Sequence, residues 1–189
     1  MTDNTIVAAK IICLPYADLL AGVDLSENSG EAYGFDGIGL LTVSGVPGLL
    51  DARANLLPLA RRFATLEETI QDKYVDEGSY YSFGWSLGKE KLEGKPDKSK
   101  GSYYANPQYD RPVESEEIIK KYPGFVTPNI WPTDEIPEFE THFKALGQLI
   151  VAVGKRVARQ CDAYIKSQLP NYVEGRMQRI IDSSLCCKA

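Results

Sequence analysis

Between residues 139 and 165, eight apolar side chains recur at steps of three or four: Phe139, Phe143, Leu146, Ile150, Val153, Val157, Cys161 and Ile165. That spacing places them on one stripe of one long helix. Pro137 stands at its start with Glu138 and Glu140 in the first turn, and Pro170 ends it. Each such side chain stabilises by roughly 1.5–3 kcal/mol when fully buried. A stripe this long must lie against something extensive, and the other strands and helices of the chain suffice to cover only part of it. The expectation is a marginally stable chain that binds hydrophobic dyes or self-associates through the 139–165 helix face.

The rest of the chain bounds the function classes. At 189 residues, 43% hydrophobic and 25% charged, it has the length and composition of a single globular domain spanning 1–189. A net charge of −5 argues against a nucleic-acid partner, which needs a basic face to displace counterions. No apolar run approaches the ~20 residues of a membrane span, and the N-terminus lacks the basic start and small-residue cleavage site of a signal peptide. Cys13, Cys161, Cys186 and Cys187 form no C-x-x-C pair, so they read as reduced, mostly buried thiols of a soluble cytoplasmic protein.

Along the chain, "AAKIICLP" predicts a strand stopped by Pro15, and residues 16–36 a glycine-bearing loop that admits a helical turn. Ile38, Leu40, Leu41 and Val43 predict a strand covered on both faces, followed by a turn at Gly45 and a helix with Pro47 in its first turn. Pro58 then either kinks that helix or opens a second one capped by Asn55. Residues 79–112 hold two aromatic strands, joined by a lysine-rich solvated hairpin loop. The segment "GKPDKS" inside that loop is superficially similar to a phosphate loop, but its glycine spacing is wrong and Pro96 removes a backbone donor. A last helix is predicted over 173–183.

Three blocks, taken together, carry a resemblance to a known family. They are "GIGLLTVSGVP" at 37–47, "FGWSLGKEKLEGKPDKSKGSYYANP" at 83–107 and "NIWPTDEIPEFETHFKALGQLI" at 129–150. In this order they resemble the N-terminal part of the iron(II)- and 2-oxoglutarate-dependent dioxygenases of the isopenicillin N synthase type. The resemblance implies an α+β fold: a helix-rich N-terminal region with short strands that flanks a double-stranded β-helix, or jelly roll. It implies a small-molecule substrate and places Trp85, Ser86, Tyr103 and Tyr104 at the substrate entrance, with Tyr80 and Tyr81 in the same aromatic group. Residues 186–189 would begin the barrel, which is otherwise missing from this chain. Departures exist: Val43-Ser44 replace the family's Asn-His, Ile38-Gly39 replace two aromatics, and Ser82 occupies the place of a substrate-binding arginine.

The family holds iron with a His-x-Asp pair and a distant histidine, and binds 2-oxoglutarate with an Arg-x-Ser. This chain has one histidine, His142, within the long helix, and no Arg-x-Ser. The expectation is therefore no bound iron, no bound 2-oxoglutarate and no catalytic residue in the chain itself. It reads as the substrate-side supporting region of a non-haem oxidoreductase, as a fragment of a longer parent. The alternatives are a non-catalytic interaction module derived from such an enzyme, or a small enzyme of unrelated mechanism. For the last, G-x-S-x-G is absent, and the carboxylate pairs Glu67-Glu68 and Glu116-Glu117 fall in helix first turns, where acids suit the dipole.

Overall fold

The computed structural model describes residues 10–183. Within them the chain is α+β and about half helical, with three two-stranded sheets and no closed barrel. The 186–189 segment, with Cys186 and Cys187, lies outside the described residues. Contacts divide the chain into two compact units, residues 10–47 with 152–182, and residues 48–151.

The first unit begins with strand β1 (Ile12–Pro15), which pairs in parallel with β2 (Leu41–Ser44), Ile12 opposite Leu41 and Leu14 opposite Val43. Parallel strands need a crossover. The crossover contains two short helices, α1 (Tyr16–Ala21) and α2 (Ser26–Tyr33), where the sequence had suggested a loop. Helix α1 stops at Gly22, whose left-handed φ of 75° a side chain would resist. Strand β2 is shorter and more one-sided than expected: Leu41 and Val43 turn inward while Thr42 and Ser44 are exposed, and Ile38 and Leu40 lie exposed before it. With one neighbouring strand and one covered face, the period-two alternation decides burial. The same alternation leaves Cys13 exposed between buried Ile12 and Leu14, so this thiol is not buried as expected.

Helix α7 (Phe139–Gln168) supplies residues 152–168 to this unit. Gln160 uses both ends of its amide on the α1–α2 connection, accepting from Leu25 N at 2.8 Å and donating to Val23 O at 3.0 Å. Two residues on, Asp162 is almost completely buried and caps helix α8 (Arg176–Ser183). It accepts from Met177 N at 3.0 Å, Gln178 N at 3.2 Å and the Tyr172 hydroxyl at 2.6 Å. This side chain satisfies donors that a helix N-terminus otherwise leaves open.

The second unit starts with α3 (Leu49–Ala64), one continuous helix that contains Pro58 rather than breaking there. It opens at Gly48, which has a φ of 74°, so Pro47 precedes the helix instead of sitting in its first turn. Exposure of Pro58 and Leu57 leaves the unpaired carbonyl turn on the solvent side, which lowers the cost of the proline. Leu56 and Phe63 face inward. Next come α4 (Glu68–Gln71), with a 3-10 turn after it, and then the hairpin of β3 (Gly84–Leu87), β4 (Lys91–Leu92), β5 (Lys95–Pro96) and β6 (Gly101–Tyr104). The expected loop between the aromatic strands is thus itself a small β4–β5 hairpin, turned by Glu93 and Gly94, both with positive φ. Helices α5 (Glu116–Lys121) and α6 (Pro123–Val126) lead to α7.

Phe63 lies at the centre of this unit's core. Its ring meets Tyr74 at 5.6 Å, Trp85 at 5.3 Å and Tyr103 at 5.0 Å, each edge-on, and Phe139 at 6.3 Å. The apolar stripe of α7 is covered unevenly. Phe139 and Phe143 are buried, Val157 packs against the first unit's strands, and Ile150 is 52% exposed.

Asp162 makes the first unit sensitive to acid. Burial works to raise its carboxyl, but the Tyr172 hydroxyl and the two α8 backbone donors outweigh it and hold the group below its ordinary value. A depressed acid contributes stability that is complete above its unfolded value, near 3.8, and is lost as pH falls through the lower folded value. Asp162→Asn should therefore cost about 1–3 kcal/mol at neutral pH. In thermal melts over a pH series, the gap between wild type and variant should close in acid; a gap independent of pH would contradict the assignment.

Candidate functional site

The β3–β6 ladder sorts the four entrance residues onto two faces. Trp85 pairs with Tyr103, while Gly84 pairs with Tyr104 and Ser86 with Ser102. Opposed residues share a face. Trp85, 6% exposed, and Tyr103 point into the aromatic core. The Tyr103 hydroxyl donates to Ile130 O at 2.7 Å, and burial drives its phenol far above the ordinary range. Ser86 and Tyr104 point the other way, into an open cavity.

Two glycines make this arrangement sterically allowed. Gly84 has a φ of 72°, and a Cβ there would lie 2.1 Å from the Tyr74 carbonyl oxygen. A Cβ at Gly101 would lie 2.2 Å from the Trp85 ring. The glycine before Trp85 and the glycine opposite its ring are thus both demanded by close packing.

The cavity holds about 260 Å³ and is lined by Tyr80, Tyr81, Ser82, Ser86, Lys89, Glu90 and Tyr104. Its rim is a turn in which successive tyrosines, Tyr80 and Tyr81, hold φ values of 56° and 58°. Non-glycine residues in this region cost of order 1 kcal/mol each and persist only where surroundings impose them. Here Tyr80 N donates to Glu77 O, Tyr81 N to Asp76 O and Ser82 N to Ser79 O, at 3.0, 3.0 and 3.2 Å. Buried Ser79 locks the turn, donating to Asp76 O and accepting from Phe83 N. The Tyr81 hydroxyl donates to Glu77 at 3.1 Å, which raises its phenol above the ordinary value. Across the cavity mouth the Lys89 ammonium lies 4.7 Å from the Tyr81 ring centroid.

A polar network stitches the hairpin to α7. The backbone of Asn106 exchanges two hydrogen bonds with the Asn129 side chain, at 2.7 and 2.8 Å. Asp110 accepts from Trp131 Nε1 at 2.9 Å and Lys144 at 2.5 Å, and Gln148 donates to Pro107 O at 3.0 Å. Burial acts to raise the Asp110 carboxyl, but the Lys144, Trp131 and Asn129 donors prevail and hold it low. The Asn-Pro and Trp-Pro pairs of the second and third sequence blocks thus meet in one network.

The residues present do not fit the iron site of the resembled family. His142 lies partly exposed on α7, and among the described residues no group of three or more His, Cys, Asp or Glu side chains could hold a metal ion. Glu116 forms an ion pair with Arg111 at 2.5 Å, and it and Glu117 sit in the first turn of α5. No family model matches this chain, and neither a curated protein nor a solved structure is significantly similar to it.

Sequence reasoning marked Tyr80, Tyr81, Ser86 and Tyr104 but missed Lys89 and Glu90, which it assigned to the solvated loop. The available signal was Gly88, whose φ of 69° redirects the chain between Ser86 and Lys89. The two faces of the ladder should respond differently to truncation. Trp85→Ala should cost about 3–5 kcal/mol of stability. Ser86→Ala should shift the melting temperature little, and Tyr104→Phe likewise. Equal losses in all three variants would show that the cavity face is also core.

Proposed function

We propose that this chain forms the substrate-side supporting region of a non-haem iron, 2-oxoglutarate-dependent oxidoreductase acting on a small organic molecule, and that it does not itself carry out the oxidation. The observation that supports the reading is the hairpin: Ser86 and Tyr104 line a cavity on one face while Trp85 and Tyr103 anchor the other. Support also comes from the joining of the second and third sequence blocks through Asn106, Asn129, Asp110 and Lys144. In this reading the chain contributes a wall that binds and orients substrate. Iron would supply oxygen activation and 2-oxoglutarate the reducing electrons, from residues other than those of this chain. Anaerobic titration with iron(II) and a 2-oxoglutarate decarboxylation assay should give neither stoichiometric binding nor turnover with this chain alone. Micromolar iron binding that survives His142→Ala, or sustained turnover, would overturn the proposal.

A second reading, a non-catalytic interaction module, is favoured by the apolar surface of the first unit. Tyr33, Val157, Ala158, Cys161, Met177 and Ile180 line an open groove of about 380 Å³. Ile150, on the α7 stripe in the second unit, is also exposed. No helix among the described residues is long and apolar enough to cross a membrane, so these faces do not mark a spanning segment. Under this reading the chain self-associates, and light scattering should show dimers or larger species that Val157→Glu reduces. A monodisperse wild-type monomer without dye binding would remove this reading.

A further inference from the structure

The cavity beside β3 and β6 is rich in donors that the protein leaves unused. The hydroxyls of Ser82, Ser86 and Tyr104 have no hydrogen-bond partner among the described residues, and Lys89 forms no ion pair with a described carboxylate. The nearby acids are engaged: Glu77 accepts from the Tyr81 hydroxyl, and Glu90 pairs with Lys100 at 3.5 Å. A cation and three hydroxyls around one space call for a ligand group that only accepts hydrogen bonds and carries negative charge. The remaining wall is aromatic, made by Tyr80, Tyr81 and Tyr104. At about 260 Å³ the cavity falls just below the ~300–1,000 Å³ typical of drug-sized ligands, so it suits a single ring with a short substituent.

We propose that this cavity binds a small aromatic carboxylate, its anionic group at Lys89 and the Ser82, Ser86 and Tyr104 hydroxyls, and its ring against the tyrosines. The proposal rests on the reading of the cavity as a substrate wall and adds the chemical class of the ligand. The Tyr80-Tyr81 turn serves as a clamp: its strained backbone holds one ring under Lys89 before any ligand arrives. Pre-placement of the ammonium over the Tyr81 face reduces the rotamer freedom lost on binding.

The test uses the whole chain, isotopically labelled, titrated with benzoate and with its neutral isostere benzamide while backbone amide signals are followed. Benzoate should produce saturable shifts at residues 80–90 and 104. It should bind roughly ten-fold more tightly than benzamide, the increment of one charge-assisted hydrogen bond. Lys89→Gln should bring the two ligands to parity, and Lys89→Arg should keep the preference. Because Lys89 is exposed, its replacement leaves the core intact, which an unchanged melting temperature checks. Equal affinity of wild type for both compounds would overturn the carboxylate assignment while sparing the cavity as a ligand site. Absence of saturable shifts at these residues with either compound would overturn both.

Discussion

The edge-on contacts around Phe63 are the constraint on which the second unit depends. From α3, one ring gathers side chains of the 3-10 turn after α4, β3, β6 and α7, segments that lie far apart in the chain. Such pairs add about 0.5–1.5 kcal/mol each beyond the area they bury. The positive edges of some rings meet the negative faces of others, so the cluster also selects orientation. Buried Gln71 donates to Phe63 O at 3.1 Å, fixing the end of α3 while the ring fixes the hairpin.

Orientation of the hairpin is what creates the cavity. With Trp85 and Tyr103 committed to the Phe63 cluster, the pleat forces Ser86 and Tyr104 to the opposite side. Polar groups buried at the edge of the core are answered one by one. Tyr74 hydrogen-bonds to Glu135, and its phenol is pushed up to about 12, by burial first and then by that carboxylate. The cavity differs from this satisfied interior because its donors point at open space rather than at protein.

The first unit relies on an amide and a carboxylate placed on two sides of one helix. Gln160 and Asp162, two residues apart on α7, reach different partners, the α1–α2 connection and the start of α8. Gly30 on α2 lets the Tyr164 ring pass so closely that a Cβ would lie 2.3 Å from it. These contacts order short helices that are too short to be stable by propensity alone.

By itself the sequence determined the elements whose signal is local and repeated. Helix α7 was legible because eight apolar residues keep a helical period between two prolines, and the aromatic strands because their composition favours a pleated surface. The paired acids Glu116 and Glu117 likewise mark the first turn of α5, which the structure shows capped by Ser115, accepting from Ile118 N at 3.3 Å. The helices between β1 and β2 were not legible, since polar residues and Gly30 carry little periodicity and a parallel crossover is a long-range demand. The division of Trp85 from Ser86 and of Tyr103 from Tyr104 was equally hidden. All four are compatible with either face, and a one-residue slip in register would exchange them. Only the tertiary structure decided it, through Gly84 against Tyr74, Gly101 against Trp85 and Phe63 between them, because register is set by packing partners distant in the chain.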